Sequence, residues 1–214
     1  MIGRIALILS AIVLAFGILF TSVLKSATVR YSFSETVASD EILNTKVLGE
    51  ADQIEIDYFL PYPGRILPDH PLWPLKALRD KLWLFVTTNT GRKSELKLLF
   101  ADKRLAMSQA LFEKDKPEIA YSTLERAEKY LQEASEQEEA NRKEGLDTKE
   151  CLDKLAKAAL KHRQVMEEIL LIAPEDAKPK IIATEDIAIS VYEKKRDAML
   201  EAGMIPPESP FDRD

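Results

Sequence analysis

The chain has 214 residues, 31% of them charged, with 7 glycines, 2 histidines, a single cysteine and a formal net charge of −6. One cysteine excludes an intrachain disulfide, so the fold is held by packing. Residues 1–60 hold 4 Lys+Arg against 7 Asp+Glu, which leaves 26 against 29 for residues 61–214 and a net of −3 in each part; that balance excludes the clustered basic surface a nucleic acid requires.

Residues 5–24, IALILSAIVLAFGILFTSVL, form an uncharged apolar run of twenty residues between Arg4 and Lys25. As a helix rising about 1.5 Å per residue it spans about 30 Å, the thickness of a bilayer's hydrocarbon core. The reading is a signal anchor over residues 1–25, a single transmembrane helix. A cleavable secretory signal is the rival: its apolar core is shorter, about 7 to 15 residues, and a cut after Ala27 puts Lys25 at the third position back. Arg4 against Lys25 and Arg30 leaves the positive-inside comparison nearly tied; the four-residue head favours head inside and body outside, at the cell membrane.

Residues 26–57 read as a juxtamembrane linker, in which the alternation of residues 29–33 allows a brief strand pairing. Residues 58–74, YFLPYPGRILPDHPLWP, carry five prolines in seventeen residues and a Pro63-Gly64 turn signal. Proline fixes φ and removes a donor, so this lead-in is stiff and extended or turned. Its aromatic residues make it a candidate partner-binding segment, with Tyr58, Phe59, Tyr62, Pro63 and Trp73 as the contact residues.

Five helices are predicted from here to residue 203, and the fold class is all-α, an antiparallel up-and-down bundle behind the proline-rich lead-in. Asp69 caps the first helix, which runs to Thr87 with Leu75, Leu78, Leu82 and Phe85 on its core face, widened by Trp73, Ala77 and Leu84. The second covers residues 92–114, with one stripe of Leu98, Ala101, Leu105 and Phe112 and another of Leu96, Phe100, Met107 and Leu111, hence two neighbours. The third starts at Lys116-Pro117, and its Ala120, Leu124, Ala127, Leu131 and Ala134 make a heptad-like, coiled-coil seam whose small residues permit close approach. Residues 135–144 are polar but for Ala140 and are expected to project into solvent. Asp147 with Glu150 resembles a capping box for the fourth helix, where Leu152, Leu155, Ala159, His162, Met166, Ile169 and Ala173 form the most regular seam. Pro174 and Pro179 bracket a turn into the fifth helix, ended by Gly203, and residues 204–214 read as a flexible tail.

The strings LPYPGRILPDHPLWPLKALRDKLWLF and KSELKLLFADKRLAMSQAL, with Pro68, Pro71 and Lys76 in a P-x-x-P-x-Y-x-x-K pattern, resemble a bacterial family of exported or membrane-tethered helical proteins, domain of unknown function 5667. Trp73 stands where that family commonly has Tyr, and Pro74 departs from a more usual apolar residue. The resemblance implies a helical exported domain and brings no catalytic residues.

Candidate chemistry is sparse. Asp69, His70 and Asp80 invite a metal site, yet no H-x-x-x-H or E-x-x-H spacing occurs, and Ala159 and Leu67 stand where a di-iron bundle needs glutamates. His162 lies on an inward seam, either a pH-responsive core group or a histidine at the bundle's edge. Cys151 is a buried thiol or an intermolecular disulfide partner. The acids of residues 136–139 read as solvated, and Trp73, Trp83 and Phe85 as buried in the first-helix interface or as a membrane belt. No catalytic, cofactor or metal residue is assigned. The expectation is a non-enzymatic envelope protein, anchored in the membrane, that binds a protein or envelope component. Alternatives are an extracytoplasmic sensor acting through a membrane partner and a small-ligand carrier or protein secreted after signal cleavage.

Overall fold

A computed structural model describes residues 31–33 and 56–212. The anchor and most of the linker lie outside these. Among the described residues no helix is long and apolar enough to cross a membrane, and no strand occurs. Five helices form the body: α1 Trp73–Val86, α2 Thr90–Phe112, α3 Pro117–Lys143, α4 Lys149–Ile172 and α5 Lys178–Glu201, followed by a 3-10 turn, Pro210–Asp212.

Local chemistry places most of the boundaries. Asn89 caps α2 by accepting the Arg92 amide at 2.9 Å. Helices α3 and α5 each end on a glycine at positive φ, Gly145 (82°) and Gly203 (69°), which donates to the carbonyl three residues back while the next amide reaches back five. Asp115, at φ 55°, closes α2 by the same pattern without a glycine.

The side-chain bonds give the directions. Ser94 donates to the Ala134 carbonyl and Ser108 to that of Ala120, so α2 and α3 run oppositely. Asp102 meets His162 and Gln109 meets Glu168, so α4 runs with α2; Tyr121 meets Thr184 and Lys195 meets Ser135, so α5 runs with α3. The arrangement is consistent with a helical bundle of alternating direction, and α1 lies against it along α2. Both predicted seams are the core: Ala120, Leu124, Ala127, Leu131 and Ala134 on α3 are at 0% exposure, and the α4 seam is buried from Leu152 to Ala173.

Six expectations are corrected. Helix α1 starts at Trp73, not after Asp69, because two successive turns, His70 N to Leu67 O and Trp73 N to His70 O, occupy that stretch, and Asp69 pairs with Lys116 at 2.6 Å instead. Its core face is Trp73, Ala77 and Asp80, while Leu75, Leu82 and Phe85 point outward. The far end of α3 does not project into solvent: Ser135, Glu138 and Asn141 are buried, with Lys195 of α5 bound to Ser135 and Glu138. No capping box opens α4, since Asp147 accepts from the Lys149 amide and Thr148 turns its hydroxyl to Glu138. The terminal segment is in contact with the bundle, Pro207 accepting from Tyr192 at 2.7 Å and the Phe211 ring lying 4.2 Å from the Arg163 guanidinium. At the other end Tyr31 and Phe33 form no strand but pack edge-on against Tyr121.

Ala127 has no room for a larger side chain, so Ala127→Phe is expected to cost about 1–3 kcal/mol through overpacking, read as a lower urea midpoint. An unchanged midpoint would place α3 at the periphery.

Candidate functional site

The interior contains a chain of polar groups crossing three helices. His162, on α4 and fully buried, has Nδ1 2.6 Å from Glu128 Oε1 on α3 and Nε2 3.1 Å from Asp102 Oδ1 on α2. Asp102 also accepts from the Tyr58 hydroxyl at 2.8 Å, which ties the lead-in to the core. Burial works against a charged imidazole, but the two carboxyl groups outweigh it and hold His162 up at about 10, above its ordinary 6.5. The ring is therefore a cation that donates from both nitrogens. Burial, reinforced by Asp102, raises the Tyr58 hydroxyl and keeps it a neutral donor. Glu128 Oε2 has no partner among the described residues.

A second buried pair joins α5 to α3. Lys195 donates to Glu138 and, at 2.8 Å, to the Ser135 carbonyl, and Glu138 also accepts from Thr148 at 2.8 Å. On the other flank Arg104 lies 4.0 Å from Asp80, with its guanidinium 4.6 Å from the Tyr130 ring centre and 5.9 Å from that of Trp73. Burial lowers the Arg104 pKa. These charges end on one another, and none of them is presented to solvent.

The residues expected to contact a partner divide. Trp73 is buried against Arg104, Tyr58 is directed at Asp102, and the Pro63 carbonyl accepts from Lys76 at 3.3 Å. Phe59 and Tyr62, 90% and 74% exposed, face outward. Asp69, His70 and Asp80 do not converge: they serve Lys116, the Leu72 amide and the two arginines Arg79 and Arg104. No group of three or more metal-ligating side chains occurs among the described residues. Cys151 lies 3.4 Å from Ser94 Oγ, and burial pushes its thiol up.

His162 is thus no edge histidine, and Glu138 is not solvated. Their partners carried a readable signal. Asp102 stands four after Leu98 and three before Leu105, and Glu128 four after Leu124 and three before Leu131, so both carboxyls occupy core positions of an apolar stripe.

A family model for the domain of unknown function DUF5667 matches residues 65–176, just over half of the 214-residue chain. The chain belongs to that family. The matched stretch contains all of α1 and the three groups Asp102, Glu128 and His162, while Lys195 lies beyond it. Comparison with curated proteins and with solved structures gives no match.

Because the folded His162 is raised above its ordinary value, its stabilisation is full below pH 6.5 and fades as pH climbs through about 10. Denaturant titrations over that interval are expected to show the native protein losing stability that His162→Phe lacks throughout, the variant starting about 3–5 kcal/mol lower with two buried carboxyls deprived of their cation. Parallel pH profiles for the two proteins would refute the charged clasp that His162 makes with Asp102 and Glu128.

Proposed function

We propose that this DUF5667 protein is a membrane-anchored helical bundle whose body stands outside the cytoplasm and whose role in the cell envelope is to bind or to hold, not to catalyse. The observation that carries the reading is the outward row of apolar side chains on α1, Leu75, Leu82, Phe85 and Val86, to which the lead-in adds exposed Phe59 and Tyr62. Scattered surface leucines are ordinary, but a contiguous apolar row on one helix is the mark of an interaction surface. The titratable groups of the interior point the same way: His162, Asp102, Glu128, Lys195 and Glu138 are spent on one another. The apolar run of residues 5–24, flanked by Arg4 and Lys25, supports the anchor.

Fractionation of the full-length protein tests this reading. It is expected to stay in the membrane pellet through high-pH carbonate washing, and its body is expected to be digested by protease added outside intact spheroplasts. Deletion of residues 1–25 should release it. Recovery of the full chain in the cytosolic fraction, or protection of the body in intact spheroplasts, would overturn the proposal.

A further inference from the structure

Helix α1 carries two apolar stripes, and among the described residues only one is packed against the bundle. Trp73 and Ala77 face the bundle, whereas Leu75 is 67%, Phe85 86% and Val86 63% exposed. A helix that is apolar on two sides is built for two neighbours. Between the outer stripe and the lead-in lies an open groove of about 720 Å³ whose apolar lining includes Leu72, Leu75, Leu78 and Leu82. Its charged lining residues are Arg65, Lys76 and Arg79, with no carboxyl group. The one acid of α1, Asp80, is buried and lies between Arg79 and Arg104.

We propose that this stripe is a lipid-contacting face, with α1 lying along the headgroup region of an anionic bilayer. The inference rests on the anchored reading above. Lys76 is held by the Pro63 and Ile66 carbonyls, which leaves Arg65 and the largely exposed Arg79, itself bound to Asp80, as the cations at the border. Leucines with Phe85 on one side of a helix and two arginines beside them are the pattern of an interfacial helix, whose apolar face enters the acyl boundary while the guanidinium groups meet lipid phosphates. Half-exposed Trp83 sits beside the row, the aromatic type that settles at headgroup depth.

Reach agrees with this occupant. The apolar run ends at Leu24, and Tyr31 is fixed to α3 by its hydroxyl, which donates to Glu125 at 2.7 Å, and by its ring against Tyr121. The intervening residues span at most about 25 Å. Trp73, at the start of α1, lines a small cavity with Ile119 and Ser122, which flank Tyr121 in the first turns of α3. The beginning of α1 and the point where the chain arrives from the apolar run are therefore at the same end of the bundle, within a short tether of the bilayer surface.

The test reconstitutes the full chain into vesicles made from equal parts phosphatidylglycerol and phosphatidylcholine brominated at shallow acyl positions, with pure brominated phosphatidylcholine as the comparison. Tryptophan emission is expected to fall about twofold in the anionic vesicles and far less in the neutral ones, as an interfacial helix drawn by charge requires. Trp83→Phe should remove the quenched component and leave that of buried Trp73. Leu75→Glu with Leu82→Glu and Phe85→Glu, all at exposed positions, should abolish quenching while the chain still floats with the vesicles and keeps its helical circular dichroism. Equal quenching in both lipids, or quenching that survives the triple substitution, would overturn the proposal. So would shielding of Trp83 that rises with protein density, which assigns the face to a second copy, or shielding that vanishes on deletion of residues 34–55, which assigns it to that segment. A chain that fails to float overturns the anchored reading instead.

Discussion

The imidazole of His162, sealed from water with a carboxyl group on each nitrogen, sets the register of the body. An ion removed from water is costly unless every polar contact it loses is replaced, and here each ring nitrogen meets an oxygen on a different helix. The apolar seams do not have this precision. A ladder of Ala and Leu at spacings of three and four packs almost as well after a slip of one helical turn, about 5.4 Å, whereas that slip leaves one cation and two carboxyls buried and unpaired. Burial of leucines therefore drives the helices together, and the polar clasp selects one alignment of α2, α3 and α4. Lys195 with Glu138 does the same for α5 against α3, and Tyr58 extends the selection to the lead-in through Asp102.

Periodicity alone was enough to read the helices whose apolar stripe is single. The seams of α3 and α4 were legible residue by residue, down to the inward placing of His162. It failed in α1, which has two apolar stripes and buries one of them; in α2 both stripes are buried and both were legible. Which stripe of α1 turns inward is decided by Trp73 and by Asp80 meeting Arg104, a pairing across 24 positions that no local pattern encodes. The same reason hid the burial of Glu138, whose partner Lys195 is 57 residues away, so that an acidic helix end looked solvated. The carboxyls Asp102 and Glu128 were visible as polar intrusions at core spacing, but their meaning needed the third helix that brings His162 between them.

The body thus separates its chemistry from its contacts. The buried charged groups are bonded chiefly to one another, while eight of the thirteen exposed large apolar residues among the described residues lie on α1 and the proline-rich lead-in. That division suits a protein whose work is positional. The lead-in contributes to both halves, since Tyr58 points into the clasp and Phe59, next in sequence, points out. A disturbance at the outer face has a covalent path of one residue to the buried network, which makes the stiffness of residues 58–74 as much a part of the design as the seams.

His162 holds the bundle as a charged clasp between Asp102 and Glu128. Nitrogen-15 NMR of the imidazole reads this directly. Midway between pH 6.5 and 10 both ring nitrogens of His162 are expected to be protonated, each with a proton protected from exchange. A neutral ring at that pH, with one bare nitrogen, would contradict it.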